Sequence, residues 1–192
     1  HLVTISPPME KYYSRVNKNC SVIFNGYDTR SMEAAKYQAH ILSDHFIRIR
    51  HMGHVSKSRI PENFLYGLRN FKQKDPTRAS RIRIEYYGTS ELMSKTLEEK
   101  FPELMECFFF YPSVPYFDSL KLMIEADYLL FSETSSKETL SAQSILTTKL
   151  FEYIGAKRPI LADISQDTLT GSILIKNSER NLVGLDKDIF EA

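Results

Sequence analysis

Apolar residues along this chain follow two alternating patterns. Five short, nearly continuous apolar runs occupy residues 47–52, 81–87, 107–111, 126–132 and 159–162, and glycines, Gly53 and Gly88, close the first two. Runs of this kind predict strands covered on both faces, as in a parallel sheet. Between them apolar residues recur every three or four positions. Residues 61–74 place Phe64, Leu65, Leu68 and Phe71 on one stripe. Residues 90–100 do so with Leu92, Met93 and Leu97, and residues 116–125 with Phe117, Leu120 and Ile124. Such stripes predict helices with one buried face. A fourth helix is predicted from about residue 148 to Gly155, just ahead of the last run. Strand and helix alternate regularly, which predicts successive βαβ crossovers and a doubly wound α/β sheet.

Two features break the regularity. The runs at 47–53 and 81–88 alternate arginine with isoleucine (Arg48, Arg50, Arg81 and Arg83). That predicts strands near a sheet edge, or strands with arginines at their ends. The ends of the chain also differ from its middle. Residues 2–5 read as a short strand, followed by a Pro7-Pro8 break, a helix over 9–16 and a strand over 21–24. Asn25-Gly26 then turns the chain, and residues 29–45 read as a solvated helix. Beyond Ser165, small apolar runs alternate with Gly171 and Gly184. No internal repeat or low-complexity segment is present.

Composition narrows the partners. A formal net charge of +1 removes any broad electrostatic case for nucleic acid or membrane. No apolar run approaches the ~20 residues needed to span a bilayer. Cys20 and Cys107 show neither metal spacing nor a disulfide framework, which predicts free buried thiols in a reducing compartment. His40, His45, His51 and His54 lack ligand spacing, so no metal site is expected. The chain begins with His1 rather than Met, and we expect an excised piece of a longer protein.

In an open parallel sheet, ligands bind beyond the carboxyl ends of the strands. That rule selects residues 53–59, 88–90, 111–115, 132–138 and 147–152. A glycine such as Gly53, between a strand and a helix, lets backbone approach a diphosphate, and Lys57 and Arg59 follow it. On spacing alone the same loop reads more readily as a polar surface turn with two solvated cations. Thr89 and Ser90 after Gly88 read as ligand contacts or as helix caps. Thr148 reads as the cap of the fourth helix. Glu152 lies four residues beyond it, where a capping box needs three, so Glu152 has no obvious structural task and reads as a ligand contact or as a solvated surface carboxylate. Lys149 and Glu152, three apart, share one helix face. No Ser-His-Asp order, Cys-His pair or metal cluster competes with them.

Residues 148–153, Thr-Lys-Leu-Phe-Glu-Tyr, followed by Gly-Ala-Lys-Arg-Pro-Ile-Leu-Ala over 155–162, resemble a known segment. It is the nucleotide-sugar-binding segment of GT-B glycosyltransferases of the glycosyltransferase family 4 and group 1 type. Val-Ile-Phe-Asn-Gly-Tyr-Asp at 22–28 resembles the entry into that family's second domain, and Pro-Ser-Val-Pro-Tyr-Phe-Asp at 112–118 a later segment. The strand–glycine units at Gly53 and Gly88 fall in the same order. The resemblance implies a Rossmann-like donor-binding domain over 29–192, the C-terminal half of a GT-B fold. Residues 1–28 would end an N-terminal acceptor domain, otherwise missing, and cross between the two.

The resemblance also implies roles. Glu152 would bind the donor ribose. Thr148, Lys149 and the backbone around Leu150 would lie at the phosphates, and the backbone near Val114 against the base. The loop after Gly53, with Lys57 or Arg59, would face the diphosphate. Lys57, Arg59 and Glu152 are then the catalytic candidates. Gly53, Gly88, Val114, Thr148, Lys149 and Leu150 complete the donor set. No metal and no cofactor is implied, since a UDP-, GDP- or other NDP-sugar is itself a substrate. A glycan or lipid-linked acceptor would be held by the missing domain. The full-length protein would be cytoplasmic, with peripheral contact at the inner membrane face.

The chain departs from the family where many retaining members carry an earlier glutamate, eight positions before Glu152. Here that position is Ser144, and Glu133 and Glu138 are out of register. Lys57 and Arg59 are also only two apart. Two other readings stay open: a non-catalytic nucleotide- or phosphate-binding module on a flavodoxin-like sheet, and a GT-B sugar-nucleotide epimerase.

Overall fold

A computed structural model of the chain describes residues 1–133, 144 and 146–184. Strand β1 (Leu2–Thr4), helix α1 (Pro7–Tyr13) and strand β2 (Cys20–Val22) form a small unit whose two strands pair in parallel. Helix α2 (Thr29–Gln38) follows, started by the Asp28 carboxylate, which accepts from the Arg30 N–H. Five crossovers then build one sheet: β3 (Ile47–Met52), α3 (Glu62–Lys74), α4 (Pro76–Ala79), β4 (Ile82–Tyr87), α5 (Glu91–Lys100), β5 (Phe108–Tyr111), α6 (Tyr116–Glu125), β6 (Tyr128–Ser132), α7 (Thr148–Ala156), β7 (Ile160–Asp163), α8 (Leu169–Asn177) and β8 (Leu182–Val183). All neighbouring strands are parallel, in the order β5-β4-β3-β6-β7-β8. The order reverses between β3 and β6, which is the signature of a Rossmann-like doubly wound sheet.

Helices cover both faces. Phe64, Leu65 and Leu68 of α3 and Met93 and Leu97 of α5 pack with Ile84 and Tyr86 on one side. Met32 of α2, Leu120 and Met123 of α6, Leu150 and Tyr153 of α7, and Leu174 of α8 pack on the other. The stripes read from the sequence are the faces that make these two layers, except that Leu92 of the 90–100 stripe is exposed.

The arginine-bearing strands are not at an edge. β3 lies between β4 and β6, and β4 between β3 and β5. Arg48 and Arg50 are 7% and 4% exposed, and Glu85 of β4 is 4% exposed. Burial is tolerable because the charges are paired. Arg50 Nε donates to Glu85 Oε2 at 2.7 Å and its Nη1 to the Leu122 carbonyl at 2.8 Å. Arg48 grips Asp44 with two nitrogens, at 2.8 and 2.6 Å. A buried cation with its donors filled avoids most of the several kcal/mol that an unpaired one costs. Arg83 takes a different course and lies 4.1 Å from the Phe109 ring centroid.

Three boundaries also move. The helix expected over 29–45 stops at Gln38, because Ala39 turns extended and the His40 N–H donates to the Glu125 carboxylate. Strand β6 begins at Tyr128, since the Asp127 carboxylate is held by the Arg48 N–H at 2.8 Å. The small helix α1 starts at Pro7, where proline suits a first turn. Both cysteines are free, Cys107 buried and Cys20 half-buried.

Helix α7 ends on Lys157 in the left-handed region, at φ 56°. A side chain is strained there and glycine is not. Lys157→Gly is expected to raise stability by about 1 kcal/mol in urea denaturation.

Candidate functional site

β3 and β6 pair over only two positions, Ile49 with Tyr128 and Arg50 with Leu129. Beyond them the strands part at their carboxyl ends. Parting leaves buried backbone groups without a ladder partner, and such groups must be satisfied otherwise. Two side chains do this. The Met52 N–H donates to the Tyr153 hydroxyl at 2.9 Å. The Leu130 carbonyl accepts from His51 Nδ1 at 3.1 Å. That bond assigns the proton to Nδ1. Burial, then the nearby Lys149 charge, hold His51 well below the usual histidine range, so it is neutral.

Tyr153 is fully buried on α7, so its bond pins that helix to the end of β3. Thr147 precedes the helix in extended conformation and makes no side-chain cap bond. Its hydroxyl is buried without a partner in bonding geometry. The Leu146 carbonyl just before it accepts from Asn25 Nδ2 at 3.0 Å. Helix α7 is therefore fixed at both its mouth and its middle.

A cleft of about 470 Å³ opens where the strands part. Gly53, His54 and Arg59 line one wall, and Thr147, Lys149 and Glu152 of the α7 mouth line another. Tyr87, Val114 and Tyr116 close a third side. Tyr87 stacks on Tyr111 at 4.7 Å between ring centroids. The Arg59 carbonyl accepts from the Ser132 hydroxyl at 2.7 Å, which ties its turn to the end of β6. A second cavity of about 320 Å³ lies at the opposite end of the sheet. Its walls are mainly Ile47, Ile49, Phe64, Ile82 and Leu161, with Arg78 and Arg81 as the charged groups. Convergent polar chemistry belongs to the carboxyl-end cleft.

The cleft is electrostatically unusual. Burial pulls Lys149 down to about 8, with Arg59 acting in the same direction and the Glu133 and Glu152 carboxylates against it. Burial raises Glu152, while the Tyr116 hydroxyl facing it and the Lys149 charge oppose the rise. Burial also raises Glu133, opposed by the Thr147 hydroxyl, Arg59 and Lys149. Thr147 faces that carboxyl, yet neither Glu133 Oε1 nor Thr147 Oγ1 has a partner in bonding geometry. A half-buried carboxylate, a half-buried ammonium and a guanidinium around one opening can take a ligand with both anionic groups and hydroxyls.

The structure sorts the residues singled out by the sequence. Gly53, Arg59, Val114, Lys149 and Glu152 come together around the cleft. Lys57 is exposed on a short 3₁₀ turn (Lys57–Arg59) and is not among the lining residues. Gly88 sits behind the site at φ 129°. A Cβ there would stand 2.9 Å from the Gly53 carbonyl oxygen, so its task is close packing of two turns. Thr148 is exposed at the first helical position, and Thr147 holds the cap position assigned to it. Leu150 is a core residue. Ser90 stands at the start of α5 but makes no side-chain cap bond. Ser144 is 2% exposed with an unpartnered hydroxyl, and Glu138 lies outside the described residues. Tyr87, Tyr116 and His54 had no signal of their own beyond proximity to a strand end, whereas Thr147 stood with Thr148, Lys149 and Glu152 as a candidate at the helix mouth. Among the described residues, no group of three or more His, Cys, Asp or Glu is placed to hold a metal ion.

No family model and no curated protein sequence matches the chain. Solved structures do. WaaG, a glycosyltransferase involved in lipopolysaccharide biosynthesis, is 14% identical with a TM-score of 0.62, over 95% of this chain and 48% of its own. AviGT4, a glycosyltransferase involved in avilamycin A biosynthesis, is 13% identical with a TM-score of 0.60, over 98% and 52%. Anabaena Alr3699/HepE, solved in complex with UDP and glucose, is 11% identical with a TM-score of 0.57, over 91% and 51%. The chain thus spans about half the length of each of these three proteins. The likeness shows the fold: a Rossmann-like domain of the kind these GT-B enzymes contain.

Tyr153→Phe keeps the ring but strands the Met52 N–H in the interior. It is expected to lower stability by about 1–3 kcal/mol in urea denaturation.

Proposed function

We propose that this chain is the donor-binding half of a glycosyltransferase of the hexosyltransferase type. It takes a UDP-, GDP- or other NDP-sugar and serves transfer to a glycan or lipid-linked acceptor. One observation carries the reading. At the switch point of the sheet, a carboxylate and an ammonium from one helix converge with a guanidinium from the facing turn. Open α/β sheets bind their ligands at this crevice. The complex of HepE with UDP and glucose supports the same ligand class.

In this reading the Glu152 carboxylate accepts hydrogen bonds from the ribose hydroxyls, with Tyr116 above it. Lys149 and Arg59 lie along the diphosphate. During transfer the sugar–phosphate bond breaks and negative charge builds on the leaving diphosphate. Cations already in place stabilise that charge without reorganising. Backbone beside Val114 lies against the base.

Residues 1–28 are proposed as the end of a separate N-terminal domain and the crossing into this one. Their two-stranded sheet does not join the main sheet. Val3, Val16, Ile23 and Phe24 of this segment are exposed, and an isolated strand pair is marginal in water. The acceptor is assigned to that domain. Among the described residues no helix is long and apolar enough to cross a membrane. The full-length protein is proposed to work in the cytoplasm, in peripheral contact with the inner face of the membrane.

Calorimetry of the chain against UDP and GDP is expected to show binding, and Glu152→Ala to weaken it roughly 10- to 100-fold. Absence of binding, or unchanged affinity in the variant, rejects the site. Labelled-sugar transfer is expected from the full-length protein and not from this chain alone. Transfer by the isolated chain would disprove the division of labour.

A further inference from the structure

Two strand ends grip the turn that carries Arg59. Ser132 closes β6, Asp163 closes β7, and the two are register partners in the sheet. The buried Ser132 hydroxyl donates to the Arg59 carbonyl at 2.7 Å. Asp163 reaches the start of α3 instead. Its Oδ2 accepts from the Phe64 N–H at 3.2 Å, and its Oδ1 from Asn63 Nδ2 at 3.0 Å. A helix start is ordinarily capped by the residue just before it. Here that residue is Pro61, which makes no side-chain cap bond. A carboxylate from a distant strand end does the capping, and it also meets the positive end of the helix dipole. The Arg59 N–H is held as well, donating to the Ser56 carbonyl at 2.9 Å. At the other end of the loop, the Gly53 N–H donates to the Tyr87 carbonyl at 2.8 Å.

We propose that Ser132 and Asp163 are positioning residues of the cleft: from the ends of two paired strands they fix residues 59–64, so that the Arg59 guanidinium stands ready for a nucleoside diphosphate. This rests on the donor-site reading above. Arg59 lines the cleft, whereas Ser132 and Asp163 do not, so both act through Arg59 and not on the ligand. Support of α3 alone would account for Asp163. It does not account for Ser132, whose bond goes to Arg59 itself, ahead of the helix.

The gain is preorganisation. Ordering a loop and a long side chain on binding costs affinity, and a turn fixed beforehand avoids part of that cost. A cation already in place also stabilises charge that builds on a leaving diphosphate without moving first. Lys57, two positions earlier on the same turn, is exposed and is not among the lining residues. The grip therefore falls on the cation that faces the cleft.

The test is a mutant cycle read by calorimetry of the full chain with UDP. Ser132→Ala and Asp163→Ala are each expected to weaken binding roughly tenfold, and Arg59→Ala by at least as much. In the Arg59→Ala background the same two substitutions are expected to add less than about twofold, because the turn then carries no cation to place. Equal losses in both backgrounds, or unaltered affinity in Arg59→Ala, overturn the proposal. Should Asp163→Ala fail to fold for want of its cap, the Ser132→Ala arm decides. Amide hydrogen exchange by NMR gives a second readout that needs no ligand. Exchange at the Arg59 N–H in Ser132→Ala, and at the Phe64 N–H in Asp163→Ala, is expected to quicken roughly tenfold. Unmoved exchange at both overturns the proposal. If the wild-type chain binds neither UDP nor GDP, the donor-site reading fails, and exchange decides separately whether the strand ends hold the turn.

Discussion

The parting of β3 from β6 after two residue pairs is the constraint on which this structure turns. A parallel sheet gains its stability from continuous pairing and from burial on both faces. Where strand order reverses, crossovers depart to opposite faces and nothing fills the space between them. Backbone groups there would be buried and unpaired. Tyr153 and His51 satisfy two of them with side chains, at 2.9 and 3.1 Å. The repair has a consequence for function. Tyr153 belongs to the helix that carries Lys149 and Glu152, so the bond that mends the sheet also sets the walls of the cleft.

Charge is handled in a common way through the molecule. Arg50 lies in the core against Glu85, and Arg48 reaches Asp44 at the start of β3. At the cleft, the Lys149 ammonium stands 5.5 Å from the Phe131 ring centroid, and Arg59 lines the same opening. The core pairs close on themselves and leave no ligand position. At the cleft, by contrast, Arg59, Lys149 and Glu152 all line one opening. Their charges face open space, and that separates a binding site from a structural ion pair.

The segment between the two sheets belongs to the same construction. Asn25 holds the Leu146 carbonyl at the mouth of α7. Tyr27 lies across the other end, where a Cβ on Gly155 would stand 2.7 Å from its ring. The glycine is thus required by close approach of an aromatic ring. Asp28 then starts α2, which packs against α6 and α7. A chain entering at Asn25 meets the helix of the cleft before any other part of the main domain.

The sequence by itself determined the alternation of strands and helices, their approximate limits and the pairing of Lys149 with Glu152 on one helix face. These are local matters. A stripe or a short apolar run states which surface will be buried, and three-residue spacing states which side chains share a face. It also showed that Glu152 has no capping duty, and this survives the shift of the cap from Thr148 to Thr147. Tertiary structure decided the rest. The arginines of β3 and β4 read as edge or strand-end residues because partners such as Glu85 and the Leu122 carbonyl are remote along the chain. Lys57 and Arg59 were equivalent by composition, and only the tie from Ser132 to the Arg59 turn separates them. Tyr116 meets Glu152 only because α6 and α7 lie side by side. Periodicity records which surfaces seek burial, whereas strand order and the splay between two strands decide which polar groups converge, and those depend on contacts far apart in sequence.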